Sequence, residues 1–372
     1  MSLTSLTDRS VVVCCGSGGV GKTTTAAALA LAAARTGRRA CVVTIDPAKR
    51  LADALGVESL ANVPHTIEEG DWPGRLDALM LDTKSTFDSL VLRYAATPEQ
   101  AESIIGNRLY RNISGALSGT QEYMAMEKLY ELASSGDYDL IVVDTPPTRN
   151  ALDFLDAPRR LTRFLDNRVF RLMMLPTRAY LRAVSVATQA FLRTVSRVVG
   201  GEVVADAVAF FRAFEGMEQG FRDRAAEVQA LMDDPGTAFL LVTSPRLDAV
   251  AEATFFAERL RESGIDVDGL VVNRLHPRFG TAPVPRGLGD LSANLADFRA
   301  IAEREEHHFE ALAARIAPAP VARVPFLATD VHDLAGLDEV GRHLFPGAYD
   351  GRAGAEPETE TETETETETE PA

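Results

Sequence analysis

Seven short runs of β-branched and aliphatic residues recur along the chain, alternating with stretches of helical pattern. They are SVVVCC (10–15), ACVVTI (40–45), LDALML (76–81), DLIVVD (139–144), AFLLVT (238–243), DGLVVN (268–273) and APVARV (319–324). Near-continuous apolar runs of this length suit strands buried on both faces of a mainly parallel sheet. Between them, TTTAAALALAAARTG (23–37) and TQEYMAMEKLYELASSG (120–136) predict helices closed by Gly37 and Gly136. The order predicts an α/β fold with a doubly wound, mainly parallel sheet.

Composition narrows the classes. The chain has 372 residues, long enough for about two domains, and its 46% apolar content can supply a sizeable core. Three cysteines exclude a disulfide-stapled scaffold, and a net charge of −16 argues against nucleic-acid binding. Cys14, Cys15 and Cys41 lie in strand-like runs without metal-ligand spacing, so buried reduced thiols are expected. The opening MSLTSLTDRS lacks a signal pattern, and no apolar run reaches the roughly 18 residues of a membrane span. A cytoplasmic protein is the expectation.

One stretch, 158–233, shows no strand pattern and predicts several inserted helices. From 159 to 200 it carries nine Arg against the single acid Asp166. The expected organisation is a core of 1–157 and 234–346, a helical insertion of 158–233, and a disordered acidic tail of 347–372. The tail's eight Glu account for half of the net negative charge. A helix is expected over 292–316, where Glu303 and His307 suit an i,i+4 surface pair and the His307–His308 pair lacks further metal ligands. Another is expected over 334–344.

The octapeptide GSGGVGKT (16–23) satisfies G-x-x-x-x-G-K-[ST] and stands between a predicted strand and a predicted helix, as a phosphate-binding loop requires. Gly16, Gly18, Gly19 and Gly21 let the backbone N–H groups, with those of Val20 and Thr24, turn around phosphates at a helix N-terminus. Lys22 would reach the β- and γ-phosphates, and Thr23 would ligate Mg²⁺. Asp144 ends its strand on the ligand side of such a sheet and would hold Mg²⁺ directly or through water. Asp46 ends another, followed by Pro47. It could face the γ-phosphate and orient or deprotonate a water, or simply cap the helix behind it.

The phosphate loop, TIDPAKRLADAL (44–55), DTPPTRNALDFLDAP (144–158) and VVNRLHP (271–277) together resemble the ArsA-type ATPases: the arsenite pumps and the relatives that deliver tail-anchored proteins to membranes. The resemblance implies a dimeric Mg²⁺- and ATP-dependent switch, with the insertion as client or effector subdomain. It makes Asp46 the water-activating aspartate, 144–148 the second switch, and Asn273 the adenine-reading residue. Pro325 and Phe326 resemble the adenine loop.

Four departures qualify the likeness. Ser17 stands where the family carries a lysine that crosses a dimer interface to the partner's nucleotide. Slow turnover by a homodimer would follow, since a trans-acting cation can be worth about 10³ to 10⁵ in rate. A heterodimer with a lysine-bearing paralogue, or a hydrolytically weak scaffold subunit, are the readings Ser17 opens. Arg149 is a candidate substitute cation or a plain surface residue. The insertion has no cysteine for arsenite, the zinc CxxC is absent, and there is one phosphate loop where the pumps often have two. A chromosome- or septum-positioning ATPase fits less well, because that group lacks so large an insertion.

On a wheel of about 100° per residue, Leu181, Val184, Phe191, Val195 and Val198 share a sector opposite Arg182, Arg193 and Arg197. Val204, Ala207, Val208, Phe211 and Phe214 form a second stripe, and Met173, Met174 and Met217 add adaptable side chains. Either these stripes pack together, or they form a surface for an apolar client segment or an anionic membrane. The Glu-Thr tail, extended by self-repulsion to about 55 Å at about 3.3 Å per residue, could cover the basic face or merely solubilise.

Overall fold

A computed structural model of the chain describes residues 3–46, 50–68, 70, 72–111, 120–146, 151–166, 201–280, 282–283, 289–345 and 349. All seven expected strands form: β1 (Val11–Gly16), β2 (Arg39–Thr44), β4 (Arg75–Met80), β5 (Leu140–Asp144), β6 (Thr237–Thr243), β7 (Gly269–Leu275) and β8 (Val321–Pro325). The sheet order is β3-β4-β2-β5-β1-β6-β7-β8, and these seven strands run parallel. β3 (His65–Thr66) pairs antiparallel with β4. It escaped prediction because its two residues are exposed and carry no apolar signal.

Side-chain alternation divides the core in two. Val11, Val13 and Cys15 face one layer, with Phe256 and Phe309, while Val12 and Cys14 face the other. The first layer includes α3 (Thr83–Tyr94), α4 (Pro98–Ile105), α5 (Thr120–Ser135), α6 (Ala151–Asp166), α9 (Leu247–Glu262) and α10 (Asp290–Arg315). On the second lie α1 (Lys22–Arg35), α2 (Arg50–Leu55) and α11 (Leu334–Leu344). Helix α1 is buried continuously from Thr25 to Ala34, and its alanines let it lie close to the sheet beneath α11. Its end is set by Gly37, which takes φ 93° where a side chain would be strained.

Helix α6 runs unbroken through Pro158, where the insertion was expected to begin. Beyond it, α7 (Gly201–Ala213), α8 (Glu218–Met232) and the turn between them contribute Phe210, Phe214, Phe221, Ala225 and Val228 to the same core as β1. Phe214 lies 5.7 Å from Phe210 and 5.1 Å from Phe221, ring to ring. Of the two alternatives left open for Met217, packing is the one observed: it is fully buried among these aromatics. Phe211 is partly buried against the cluster. The stripe and arginines expected over 167–200, Met173 and Met174, Arg149, and the tail apart from Tyr349 lie outside the described residues.

Two smaller expectations also resolve. His307 Nδ1 lies 2.9 Å from the Glu303 backbone carbonyl, so the i,i+4 contact does not involve the carboxylate, and His308 Nδ1 lies 2.8 Å from the Pro245 carbonyl. The three cysteines are buried and unbridged. Among the described residues, no helix is long and apolar enough to cross a membrane.

Candidate functional site

β1 sits between β5 and β6, and the chain that first steps from β1 to β2 on one side later places β6 on the other. A crevice opens at such a reversal, over the carboxyl ends of the strands. The loop after β1 occupies it. Gly21 is the N-cap of α1 at φ 96° and offers no side-chain bond, whereas Asp82, Thr97 and Asp333 cap α3, α4 and α11. The first turn of α1 thus keeps its N–H groups clear of a competing cap, suited to an anion.

Close packing explains two of the loop glycines. A Cβ on Gly16 would stand 2.1 Å from the Val242 carbonyl oxygen of β6, and one on Gly21 would stand 2.1 Å from Asn273 Nδ2. Gly19, at φ 76°, has open space around it and is required for conformation alone.

The candidate ion-handling residues converge from three elements. Lys22 is buried, and its Nζ donates to the Ser17 carbonyl at 2.9 Å. Thr23 Oγ1 donates to Asp144 Oδ2 at 2.7 Å, and Thr44 Oγ1 donates to the same oxygen at 3.0 Å. Asp144 Oδ1 is buried and has no hydrogen-bond partner among the described residues. An unpartnered carboxylate oxygen beside a threonine hydroxyl is an all-oxygen donor set that fits Mg²⁺.

Burial dominates the electrostatics. It raises the Asp144 pKa above the ordinary carboxylate value, against the bonds from Thr23 and Thr44 and the charge of Lys22. Burial likewise lowers the Lys22 ammonium, opposed chiefly by Asp144. Beneath them burial pushes the Cys15 thiol up to about 12, which keeps it neutral and out of the chemistry.

A cleft of about 410 Å³ joins these groups, within the range of small-ligand pockets. Gly19, Gly21, Lys22, Thr23, Thr24, Asp46, Asp144, Asn273, Pro325 and Phe326, all proposed from sequence, line it. Asp46 is a quarter exposed and faces Arg50 at 3.5 Å. Gly18 and Val20 instead line a second cavity on the outer side of the loop, with Ser17.

Asn273 ties β7 to the loop. Its Nδ2 donates to the Val20 carbonyl at 2.9 Å, while its Oδ1 accepts the Arg274 N–H at 2.9 Å. One amide hydrogen and one lone pair stay available for a base. Phe326 is 60% exposed at the rim and is anchored by its N–H to the Leu275 carbonyl at 2.7 Å.

Three residues in the cleft wall or beneath it escaped the sequence reading. Thr44 and Arg50 flank Asp46 within TIDPAKR, so a carboxylate needing neighbours was their available signal. Arg274 carried none, because its place follows from an irregularity between β7 and β8.

The sequence profile of the family described as "Anion-transporting ATPase" matches residues 9–345. The "ATPase GET3" of Malassezia globosa is 26% identical over 266 residues, which is 71% of this chain and 72% of that protein. The "ATPase ARSA2" of Chlamydomonas reinhardtii is 28% identical over 268 residues, 70% of this chain and 66% of that one. An uncharacterized protein of Streptomyces coelicolor is 31% identical over 265 residues, 70% of this chain and 61% of its own length.

Proposed function

Because the chain belongs to the anion-transporting ATPase family, we propose that it binds Mg-ATP in the cleft above β1 and hydrolyses it as a molecular switch. The observation that carries this reading is the meeting of Lys22 and Thr23, from the start of α1, with Asp144, from the end of β5, at one cleft. Magnesium, when bound, would be held by Thr23 and, directly or through water, by Asp144, and would neutralise phosphate charge.

The chain's own groups supply the rest. Lys22 is positioned by the Ser17 carbonyl at the base of the loop, where an ammonium can meet the β- and γ-phosphates. Asp46, kept partly exposed and oriented by Arg50, accepts the proton of an attacking water or aligns it. Asn273, Pro325 and Phe326 supply an amide and an apolar rim for adenine.

We extend the proposal to a dimer, of two identical or two related chains, in the cytoplasm. Nucleotide state would there be coupled to residues 158–233 as a surface for an apolar client segment or a membrane face. Neither nucleic acid nor arsenite is an expected ligand, and no structural zinc is expected. Ser17 favours a second reading: a hydrolytically weak scaffold subunit that depends on a lysine-bearing paralogue.

Two substitutions separate binding from chemistry. Lys22→Ala is expected to abolish nucleotide binding in calorimetric titration, and Asp46→Asn to retain binding while losing turnover. Unchanged hydrolysis in Asp46→Asn removes Asp46 from its role. For the scaffold reading, Ser17→Lys is expected to raise turnover of the isolated chain, and no gain from it or from an added lysine-bearing paralogue rejects that reading.

A further inference from the structure

We infer that Arg274 is a phosphate-binding residue of the nucleotide cleft, one that neither the loop motif nor the family phrases assign. The inference rests on the reading of the cleft as an ATP site.

Three independent features converge on this side chain. Arg274 takes φ 63°, a left-handed conformation that is strained for a residue with a Cβ and is found where surrounding structure enforces it. The enforcement is visible: the β7–β8 register shifts between Val272 and Leu275, and Asn273 Oδ1 holds the Arg274 N–H at 2.9 Å. Irregularities of this kind re-aim a side chain beside a site.

The side chain is aimed at the phosphate loop. Its Nη1 donates to the Gly19 carbonyl at 3.1 Å, across 255 residues of sequence. Arg274 lines the cleft together with Gly19, Gly21, Lys22 and Thr23, and also lines the cavity on the outer side of the loop.

Its charge is uncommitted. Arg50, the other arginine of the cleft wall, faces Asp46 at 3.5 Å, whereas Arg274 bonds a neutral carbonyl and forms no ion pair among the described residues. A guanidinium fixed to the peptide of Gly19 stands beside the loop N–H groups that turn toward phosphate oxygens. Its remaining donors match such oxygens in a planar fork. Ser17 contributes no charge to this loop, so Arg274 provides the cation on its outer wall from the same chain.

The test uses Arg274→Gln and Arg274→Lys in the full-length protein, titrated with Mg-ATP, Mg-ADP and adenosine at two salt concentrations. Gln can still donate to the Gly19 carbonyl but has no charge, so a melting temperature close to that of the unaltered protein is expected. Arg274→Gln is expected to lose about 10- to 100-fold in ATP affinity, the range of one charge-assisted hydrogen bond, and to bind adenosine within about twofold of the unaltered protein. Its ATP binding should also respond less to salt, and Arg274→Lys should recover part of the loss.

Equal ATP affinity in Arg274→Gln and the unaltered protein overturns the inference. So does an equal loss for adenosine, which would mark Arg274 as a support for the loop. If the unaltered protein binds adenosine but gains nothing from the phosphates, the inference fails while a base site remains. If it binds none of the three, the ATP-site reading fails with it.

Discussion

Thr23 and Asp144 are 121 residues apart in sequence and joined by a 2.7 Å hydrogen bond, which ties the first turn of α1 to the end of β5. The other Asp144 oxygen is buried without a partner among the described residues. Asp144→Asn is therefore expected to reduce the Mg²⁺ dependence of nucleotide affinity by about tenfold or more, since a hard cation prefers a charged oxygen. The sign of the pH effect follows from burial, which raises the Asp144 pKa. Protons then compete with Mg²⁺ at a higher pH than for an ordinary aspartate, so the Mg²⁺-dependent part of affinity is present at higher pH and is lost on acidification. Titration calorimetry with and without Mg²⁺ across pH checks both statements, and a pH-independent Mg²⁺ effect contradicts them.

Gly21→Ala places a Cβ 2.1 Å from Asn273 Nδ2 in a left-handed backbone at φ 96°. The strain is about 1–2 kcal/mol, and the Asn273–Val20 bond must shift. Nucleotide affinity should fall at least tenfold, with a modest drop in thermal stability. Unaltered affinity would show that the tie between β7 and the loop is dispensable.

Phe221 in α8 is buried against Tyr94 and Phe214, at ring distances of 5.3 and 5.1 Å. Phe221→Ala is expected to cost about 3–5 kcal/mol in denaturant unfolding, as for a large core truncation. Because α8 shares the core of β1, the whole transition should move. A shift confined to a separate, earlier transition would instead make α8 part of an independent unit.

Arg224 on α8 and Glu127 on α5 form a buried pair, with Arg224 Nε 2.8 Å from Glu127 Oε1 and the guanidinium 3.9 Å from the Tyr130 ring centre. Burial raises the Glu127 pKa, and the Arg224 bonds and charge oppose it. Removing Glu127 leaves the buried Arg224 charge with only Glu227, itself half exposed, at 3.3 Å, so Glu127→Leu should cost about 3 kcal/mol, the lower end for a broken buried pair. Combining Glu127→Leu with Arg224→Met should be far milder, because neither charge is then left buried. An additive double loss in the thermodynamic cycle would deny the coupling.

Much of this was legible from sequence. Runs such as VVVCC and LIVVD are apolar on both faces and too short for a membrane span, which points to the middle of a covered parallel sheet. The strand–loop–helix placement of GSGGVGKT and the position of Asp144 at the end of its strand were equally plain, because they depend on residue types at fixed offsets. The double role of Asn273 was not, since its bond to Val20 spans 253 residues and depends on β6 lying between β1 and β7. Nor was the burial of Met217, because an amphipathic stripe gives a face without saying what covers it.

Sequence by itself determined the strand, loop and helix that carry GSGGVGKT, since glycine freedom, β-branched runs and alanine-rich helix propensity act over a few residues. Tertiary structure alone decided that Asp144 and Asn273 meet that loop, that Thr44 joins Asp144, that α8 joins the core, and that Arg274 turns toward Gly19. These relations depend on strand order and on a register shift at the β7–β8 edge, which arise only when distant segments bury their apolar faces together.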